Sequence, residues 1–462
     1  MAPARRRALA RRRRSTARSG TSRACSSRVG PALLAVLCCV YIALAALPAA
    51  PGSNVVLATS GGSPDWLLGP LRFAGLHAAD GPLAGPLFLV GLGLALLLYA
   101  GVLVRAGDIS RRSAALVIIA LHALFLLAPP LLSQDVFSYI AYARLGAEHG
   151  LNPYTHAPLD IPRDPVFSLA GSKGASSVYG PLFTLLTYPL AVLGVAGAFW
   201  ALKLVAALCS LGIVALVWWG AERLGRDPRL PALAVALNPH VLVHVVGGAH
   251  NEALVVLATT AGVVAVLAGR GAVGVAGATV AAGLKASAGL VVPFLVLANS
   301  RRPGDRLVAG GGAGGRLLAA AATAVAIVLI ATAAFGAEAL DALGVLGSNQ
   351  GRTSSFSAPY KTAELLAGLL PGDRLDYRGP VRVIFALGFA ASLCVLLWRT
   401  WRGASAVAMA GWATLAVLIA SAWLVPWYLL WLLPLAALAD DRRLLIATVL
   451  ISGWALPIAV PL

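Results

Sequence analysis

The sequence predicts an all-α integral membrane protein, and three observations carry that expectation. Its 462 residues are 59% hydrophobic and only 12% charged, whereas a soluble domain keeps about a quarter of its residues charged. The mean hydropathy is +0.84, too apolar for a water-facing surface. Apolar stretches of roughly 17 to 25 residues, long enough to cross a hydrocarbon core about 30 Å thick, recur from Pro31 to the C-terminus. They are rich in Leu, Val and Ala, with the Gly and Pro content of membrane helices. The alternating ten-residue segments of a membrane barrel are absent.

The formal net charge is +18, and much of it sits in the first 30 residues, as in Arg5-Arg6-Arg7 and Arg11 to Arg14. This segment, residues 1–30, reads as a disordered basic cytoplasmic tail. No aromatic residue interrupts it, so positive-inside orientation and anionic-lipid contact explain the charge better than nucleic-acid binding. Pro31 to Ala50 is the first helix, or a signal segment behind an unusually long basic region; the topology is the same either way. The five cysteines (Cys25, Cys38, Cys39, Cys209, Cys394) lie in the tail or in apolar segments, which leaves neither a disulfide framework nor a zinc site.

Residues 31–462 then form one polytopic domain of about 13 helices. With the tail inside, a second helix runs from Leu83 to Val104 and is followed by Arg105, Arg111 and Arg112 on the cytoplasmic side. A third, Ser113 to Leu132, leads to a first large external loop, 133–177. Pro181 to Ala198 is expected to be re-entrant or interfacial, because Tyr179-Gly180-Pro181 and Pro189 interrupt it. That choice keeps the basic loop from Glu222 to Arg229 inside. Phe199 to Gly220 spans, and Leu230 to Val246 delivers Gly247-Gly248-Ala249-His250-Asn251-Glu252 to the outer face. Arg270 and Arg301-Arg302 bracket a segment with Lys285 near its middle, which suits two half-length helices with Lys285 at their tip. An ionisable side chain at membrane depth is a functional candidate by default. Arg316 to Phe335 runs outward, 336–378 forms a second external loop, and helices follow near Pro380–Leu397, Ala404–Leu424, Trp427–Ala439 and Leu444–Val460. No repeat relates the two halves, which weakens an inverted-repeat transporter.

Five groups of residues carry candidate chemistry. Asp135, in Ser133-Gln134-Asp135-Val136-Phe137-Ser138-Tyr139, is a general base for a hydroxyl, a metal ligand, or a helix N-cap. Arg144 pairs with a phosphate or with Glu148 at i,i+4. His250, Asn251 and Glu252 either cap a helix or form an acceptor site with a second carboxylate, since a carboxylate entering an apolar run needs a partner. Lys285 neutralises a lipid phosphate or snorkels to headgroups. Trp427 and Tyr428, in Val425-Pro426-Trp427-Tyr428, belong to an interfacial aromatic belt or contact sugar or prenyl groups. Under one topology all of these reach the same face. No Walker A motif is present, so an enzyme here needs an activated donor already in the membrane, and a lipid-phosphate sugar fits.

The motifs Asp135-Val136-Phe137-Ser138-Tyr139, Ala143-Arg144-Leu145-Gly146, His149-Gly150-Leu151-Asn152-Pro153-Tyr154, Gly248-Ala249-His250-Asn251-Glu252, Gly283-Leu284-Lys285 and Pro426-Trp427-Tyr428-Leu429-Leu430-Trp431 carry a resemblance. The chain resembles the actinobacterial polyprenol-phosphomannose-dependent α-1,6-mannosyltransferases of the MptA/MptB type, within the wider GT-C class. That resemblance implies a GT-C-like helical bundle in the plasma membrane with an external active site. It further implies a polyprenyl phosphomannose donor, a growing lipomannan-type α-1,6-mannan glycolipid acceptor, and inversion at the anomeric carbon. Carried over, Asp135 is the catalytic base, Lys285 and Arg144 offset the leaving phosphate, and His250, Asn251 and Glu252 form the acceptor side. Tyr139, Tyr154, Trp427 and Tyr428 are candidate sugar or prenyl contacts. The chain has Glu252 where the family usually has Asp, and Gln134-Asp135 where many GT-C enzymes have paired acids; both departures count against a tightly bound metal, while a divalent metal stays an open alternative. Rival readings are an arabinofuranosyl or protein O-mannosyl transferase of the same architecture, a lipid-linked sugar flippase or other transporter, and a non-catalytic scaffold.

Overall fold

The computed structural model describes residues 28–49, 64–71, 84–298, 312–343, 353–458 and 460. Among them every regular element is helical. The Arg-rich tail before Arg28, the Arg301-Arg302 pair and part of the second predicted external loop, 344–352, lie outside the described residues.

Five helices among the described residues are long and apolar enough to cross a membrane: Arg28–Ala49, Gly85–Val104, Pro181–Arg223, Ala313–Phe335 and Arg374–Trp401. A sixth is counted if one bent pair makes a single span. This fits a membrane protein, and a count of about 13 is not confirmed among the described residues. The difference has a physical cause. Several predicted spans are cut by Pro, Gly or polar turns into helices of 10–17 residues, among them Glu252–Leu267, Gly271–Leu284 and Ala406–Ala420. Pieces that short fall below the roughly 20 residues a full crossing needs.

In chain order, α1 (Arg28–Ala49) and α2 (Ala84–Val104) are followed by α3 (Arg111–Leu127), which Ser110 caps by accepting the Ser113 N–H. Next come α4 (Asp135–Ala147) and α5 (Pro181–Thr187). A 3-10 stretch, Tyr188–Leu193, ends at Gly194 with φ 65°, and the 30-residue α6 (Gly194–Arg223) begins there. The long helix thus starts at Gly194 rather than Phe199, and the interrupted piece before it is too short to cross alone.

The helix α7 (Arg229–Ala236) meets Pro239, whose missing N–H breaks the hydrogen-bond ladder. The chain bends by 53° into a π-turn, His240–Gly247. The break frees carbonyls in a dry interior, where they need partners. Tyr99 OH donates to Ala234 O at 2.7 Å and Tyr41 OH to Leu237 O at 2.6 Å. Residues 232–246 around this bend are buried throughout and form the centre of the main apolar core.

Beyond it, α8 (Glu252–Leu267) and α9 (Gly271–Leu284) pack side by side, with Gly262 and Gly274 in backbone contact. After a break at Lys285 and a 3-10 turn, α10 (Val292–Leu297) packs back on α9, the two-piece arrangement expected from the sequence. The remaining helices are α11 (Ala313–Phe335), α12 (Ala358–Leu369), α13 (Arg374–Trp401), α14 (Ala406–Ala420), α15 (Leu429–Leu438) and α16 (Arg442–Trp454). Only 11% of the spanning window of α11 and of α13 is buried within the protein, so their apolar flanks face lipid.

Candidate active site

The first site segment leaves α3 through Leu132, which is held in the left-handed region at φ 61°. Gln134 takes the N-cap position of α4 without a side-chain cap bond, and Asp135 is the first helical residue. Its N–H donates to Ser133 Oγ at 3.2 Å. Asp135 is therefore not the cap that the Asp-x-x-Ser-Tyr pattern allowed. Its carboxylate sits in the first turn, where the helix dipole favours negative charge. It is the exposed member of the group, with 37% of its side chain accessible.

The second segment leaves the π-turn through Ala249, also left-handed at φ 55°. Such a conformation costs a non-glycine residue on the order of 1 kcal/mol. Both loops that present carboxylates to this site carry that strain. Asn251 occupies the N-cap position of α8 without a side-chain cap bond. Its side-chain Oδ1 instead accepts from Tyr139 OH at 3.5 Å, and its backbone N–H donates to the same hydroxyl at 3.4 Å. Glu252 follows, fully buried.

The third segment supplies the partner. Lys285 breaks the helix between α9 and the next turn in an extended conformation and forms an ion pair with Glu252 Oε1. Its position is set from the first loop. Gly180 N–H donates to Leu284 O at 3.1 Å, and a Cβ at Gly180 would lie 2.3 Å from Gly283 O. Only a glycine allows that approach.

The fourth segment closes the site with rings. Trp427 stacks on His250, centroids 3.7 Å apart. The Lys285 ammonium lies 4.9 Å from the Tyr428 ring centroid, and Tyr428 stacks on Trp431 at 4.1 Å. His250 stands between the two carboxylates, its Nδ1 3.6 Å from Asp135 Oδ2 and 3.8 Å from Glu252 Oε2. Burial, assisted by the Lys285 charge, holds this imidazole well below its ordinary 6.5. Both His250 ring nitrogens, Glu252 Oε2 and Asn251 Nδ2 are buried without a protein hydrogen-bond partner. Buried polar atoms are nearly always satisfied, and four orphans in one turn mark a place built for a polar ligand.

The donor set does not suit a metal. Among the described residues no three His, Cys, Asp or Glu side chains group so as to hold one, and the cation against Glu252 is Lys285.

Two sequence candidates fall elsewhere. Arg144 lies nine residues along α4 from Asp135, about 13 Å of helix rise. Its Nε bonds both Asp164 oxygens at 2.9 and 3.0 Å rather than Glu148. His149 Nε2 reaches the same carboxylate at 2.8 Å, so this trio pins the first loop instead of joining the cluster. Tyr154 is buried, donates to Tyr179 O at 2.8 Å and packs edge-on against Phe335; it is a structural residue of that loop.

One residue was missed. Lys203, inside the apolar α6, is fully buried. Its Nζ donates to Ala128 O, at the end of α3, and to Gly247 O at 3.2 Å, at the end of the π-turn. These are the helix ends that lead to Asp135 and His250. Beside the cluster a small cleft is lined by the polar Tyr139, His250 and Asn251 and by the apolar Phe183, Leu202 and Leu254.

Comparison with known proteins decides the class. Residues 38–301 match the family model described as alpha-(1→6)-mannopyranosyltransferase, N-terminal domain, and residues 376–461 match the MptB C-terminal domain. The chain is 31% identical over 439 residues to alpha-(1→6)-mannopyranosyltransferase A of Mycobacterium tuberculosis, covering 88% of this chain and 83% of that one. The chain belongs to the alpha-(1→6)-mannopyranosyltransferase family. A mannosyltransferase of Corynebacterium glutamicum with the same name is 30% identical over 175 residues, 37% of this chain and 35% of that one. Alpha-(1→6)-mannopyranosyltransferase B of the same organism is 30% identical over 141 residues, 28% of this chain and 22% of that one. No solved structure matches the chain. The protein is a membrane-embedded glycosyltransferase of the mannosyl class, and the cluster around Asp135, His250, Glu252 and Lys285 is its candidate active site.

Proposed function

We propose that this mannosyltransferase moves mannose from a polyprenyl phosphomannose to the 6-hydroxyl of an α-1,6-mannan glycolipid, at the outer face of the plasma membrane. The observation that carries the reading is the grouping of one accessible carboxylate, Asp135, with a buried Glu252–Lys285 pair across His250. It supplies a base and a cation within one small site.

In this mechanism Asp135 takes the acceptor hydroxyl proton as the oxygen attacks C1 of the donor mannose. The new O6–C1 bond forms while the C1–O–phosphate bond breaks, and its electron pair leaves with polyprenyl phosphate. Attack opposite the leaving group inverts C1, so an α product requires a β-linked donor. The leaving group becomes a dianion and needs little acid help. The Lys285 ammonium answers the extra negative charge in a water-poor site, where fixed charges act most strongly. His250, Asn251 and Trp427 contact the sugar in this reading, and the apolar lining of the adjoining cleft accepts the prenyl chain. Arg144, bound to Asp164, is given no role in this step.

The test uses membranes carrying the full chain, radiolabelled polyprenyl phosphomannose and short α-1,6-mannoside acceptors, with linkage analysis of the product. Asp135→Asn should lower transfer by about 10²- to 10⁴-fold with normal membrane insertion. Near-normal transfer by that variant would remove Asp135 as the base. Absence of mannosyl transfer by the unmodified protein to every acceptor would favour a transporter or scaffold.

A further inference from the structure

The mechanism asks Lys285 to receive the charge of the leaving phosphate, yet that ammonium is already shared with Glu252. A phosphate dianion set against the pair brings two more negative charges to one shared cation, so further proton donors are needed to hold it. Two uncommitted donors stand beside Lys285. Ser287 Oγ and Trp431 Nε1 are buried, and neither has a hydrogen-bond partner.

Both line the same small cavity. Its wall on α8 is formed by Val255, Val256 and Thr259, which follow Glu252 by three, four and seven residues and so share its face of the helix. The cavity therefore lies beneath the Glu252–Lys285 pair, about one to two turns along α8. Ser287 is two residues beyond Lys285, in the 3-10 turn Ala286–Val291. Trp431, on α15, stacks on Tyr428, and its ring centroid lies 5.8 Å from Lys285 Nζ. Lys285, Ser287 and Trp431 thus bring their donors together from two elements, on the deep side of the ion pair.

The chemistry of the cavity calls for an acceptor. Its other two hydroxyls give their protons to their own helices: Thr259 Oγ1 donates to Val255 O at 3.0 Å and Thr414 Oγ1 to Ala410 O at 2.8 Å. An indole N–H can only donate, and buried polar atoms are rarely left unpaired. The remaining lining, with Leu290 and Val291, is aliphatic. Such walls keep water from an acceptor held there and strengthen each bond to it.

We infer that Ser287 Oγ–H and Trp431 Nε1–H, beside the Lys285 ammonium, donate to the phosphate oxygens of the lipid carrier. This deepens the function proposed above and rests on it. The donor phosphodiester carries one negative charge, and the phosphate monoester released when the C1–O bond breaks carries two. Neutral donors bind the second form more strongly, so they favour the departing phosphate over the bound substrate.

The experiment measures binding to purified full-length protein in phosphatidylcholine nanodiscs. The probes are a short-chain prenyl phosphate, the prenyl alcohol of the same chain, and inorganic phosphate. The variants are Ser287→Ala and Trp431→Phe, which remove one donor each, and Thr259→Val and Thr414→Val, which alter the same cavity without removing a free donor. A hydrogen bond to a charged acceptor accounts for roughly a factor of ten in binding. Ser287→Ala and Trp431→Phe should each weaken prenyl phosphate about ten-fold and leave the alcohol unchanged, while the two Val variants bind both as the wild type does. In the transfer assay the first two should lower kcat with the acceptor KM held. Wild-type binding of prenyl phosphate by both donor variants, at unchanged thermal stability, would assign the cavity to water and overturn the inference. An equal loss for the alcohol would reduce the effect to packing and overturn it too. Inorganic phosphate bound as tightly as prenyl phosphate would remove the lipid as the source. Failure of the unmodified protein to bind prenyl phosphate at all would sink the proposed donor along with this inference, whereas equal binding by wild type and variants sinks the inference alone.

Discussion

Replacing Glu252 with Gln keeps the shape of the side chain but leaves the Lys285 ammonium facing a neutral amide. Two opposite charges about 4 Å apart interact by roughly 4 kcal/mol at an effective dielectric constant near 20. Removing one member of a buried pair typically costs about 3–5 kcal/mol. Glu252 is fully inaccessible and Lys285 retains 16% side-chain exposure, so residual water softens the loss and the lower end, about 3 kcal/mol, is expected. Lys285→Met should cost a similar amount, moderated because the stranded carboxylate can take up a proton. The double variant removes both charges and should cost about 3 kcal/mol, no more than either single variant alone, a coupling of about 3 kcal/mol. Transfer should not recover. All three variants lack the cation or its anchor, and loss of one electrostatic stabiliser costs about 10²- to 10³-fold in rate. Unfolding of purified protein, read beside mannosyl transfer in the same preparation, separates the two effects. Wild-type transfer by the double variant would refute the catalytic reading of the pair, and a coupling near zero would refute the contact itself.

Other perturbations follow from the same geometry. Lys203→Met leaves the Ala128 and Gly247 carbonyls without their donor; displacing the Asp135 and His250 loops by even 1 Å costs up to about 10²-fold, so kcat should fall well beyond any change in expression or KM. Gly180→Ala sets a Cβ against Gly283 O and should lower transfer by shifting Lys285, while an Ala at the open Gly150 or Gly194 positions, both at positive φ, costs only about 1–2 kcal/mol of local strain. Burial alone would raise the Asp164 carboxyl, but bonds from Arg144, His149 and the Val166 N–H, with the Arg144 charge, hold it below its ordinary 3.8. A depressed acid stabilises the fold above its unfolded value and loses that contribution as pH falls through its folded value. Protease resistance of the first loop should therefore be level above pH ~5 and fall below pH ~4, with Asp164→Asn removing the step; a step in the opposite direction would contradict the assignment.

Much of this site was legible in the chain because charge is rare in an apolar sequence and therefore conspicuous. A carboxylate opening an apolar run needs a partner, and Glu252 has Lys285. A lysine bracketed by apolar half-helices belongs at a break, and Lys285 sits at one. What the sequence concealed were interactions without a local period. Arg144 shows Glu148 one turn away, yet its partner is Asp164, twenty residues on and brought near only by the folded loop. Lys203 was overlooked for the opposite reason, since one cation did not disturb the length of its helix; the rule applied to Lys285 would have singled it out. The count of about 13 helices is not confirmed among the described residues, and apolar length alone is blind to the breaks there. Pro239 and the Lys285 break split segments whose hydropathy is continuous.

These breaks also explain how a dry interior holds a reactive group. An unbroken helix satisfies its own carbonyls and offers side chains only along its flank. Each interruption here exposes backbone that must be satisfied, and side chains from other helices do so: Tyr41 and Tyr99 at the α7 bend, Lys203 at the ends of α3 and the π-turn. The same interruptions turn Asp135, His250 and Lys285 away from helix flanks and toward one another. The site is held by its position among helix ends, so its geometry depends on residues such as Lys203 and Gly180 that touch no charged group. Substitution of Lys203 should change the rate of transfer while leaving the Glu252–Lys285 coupling intact, whereas substitutions within the pair should lower both together.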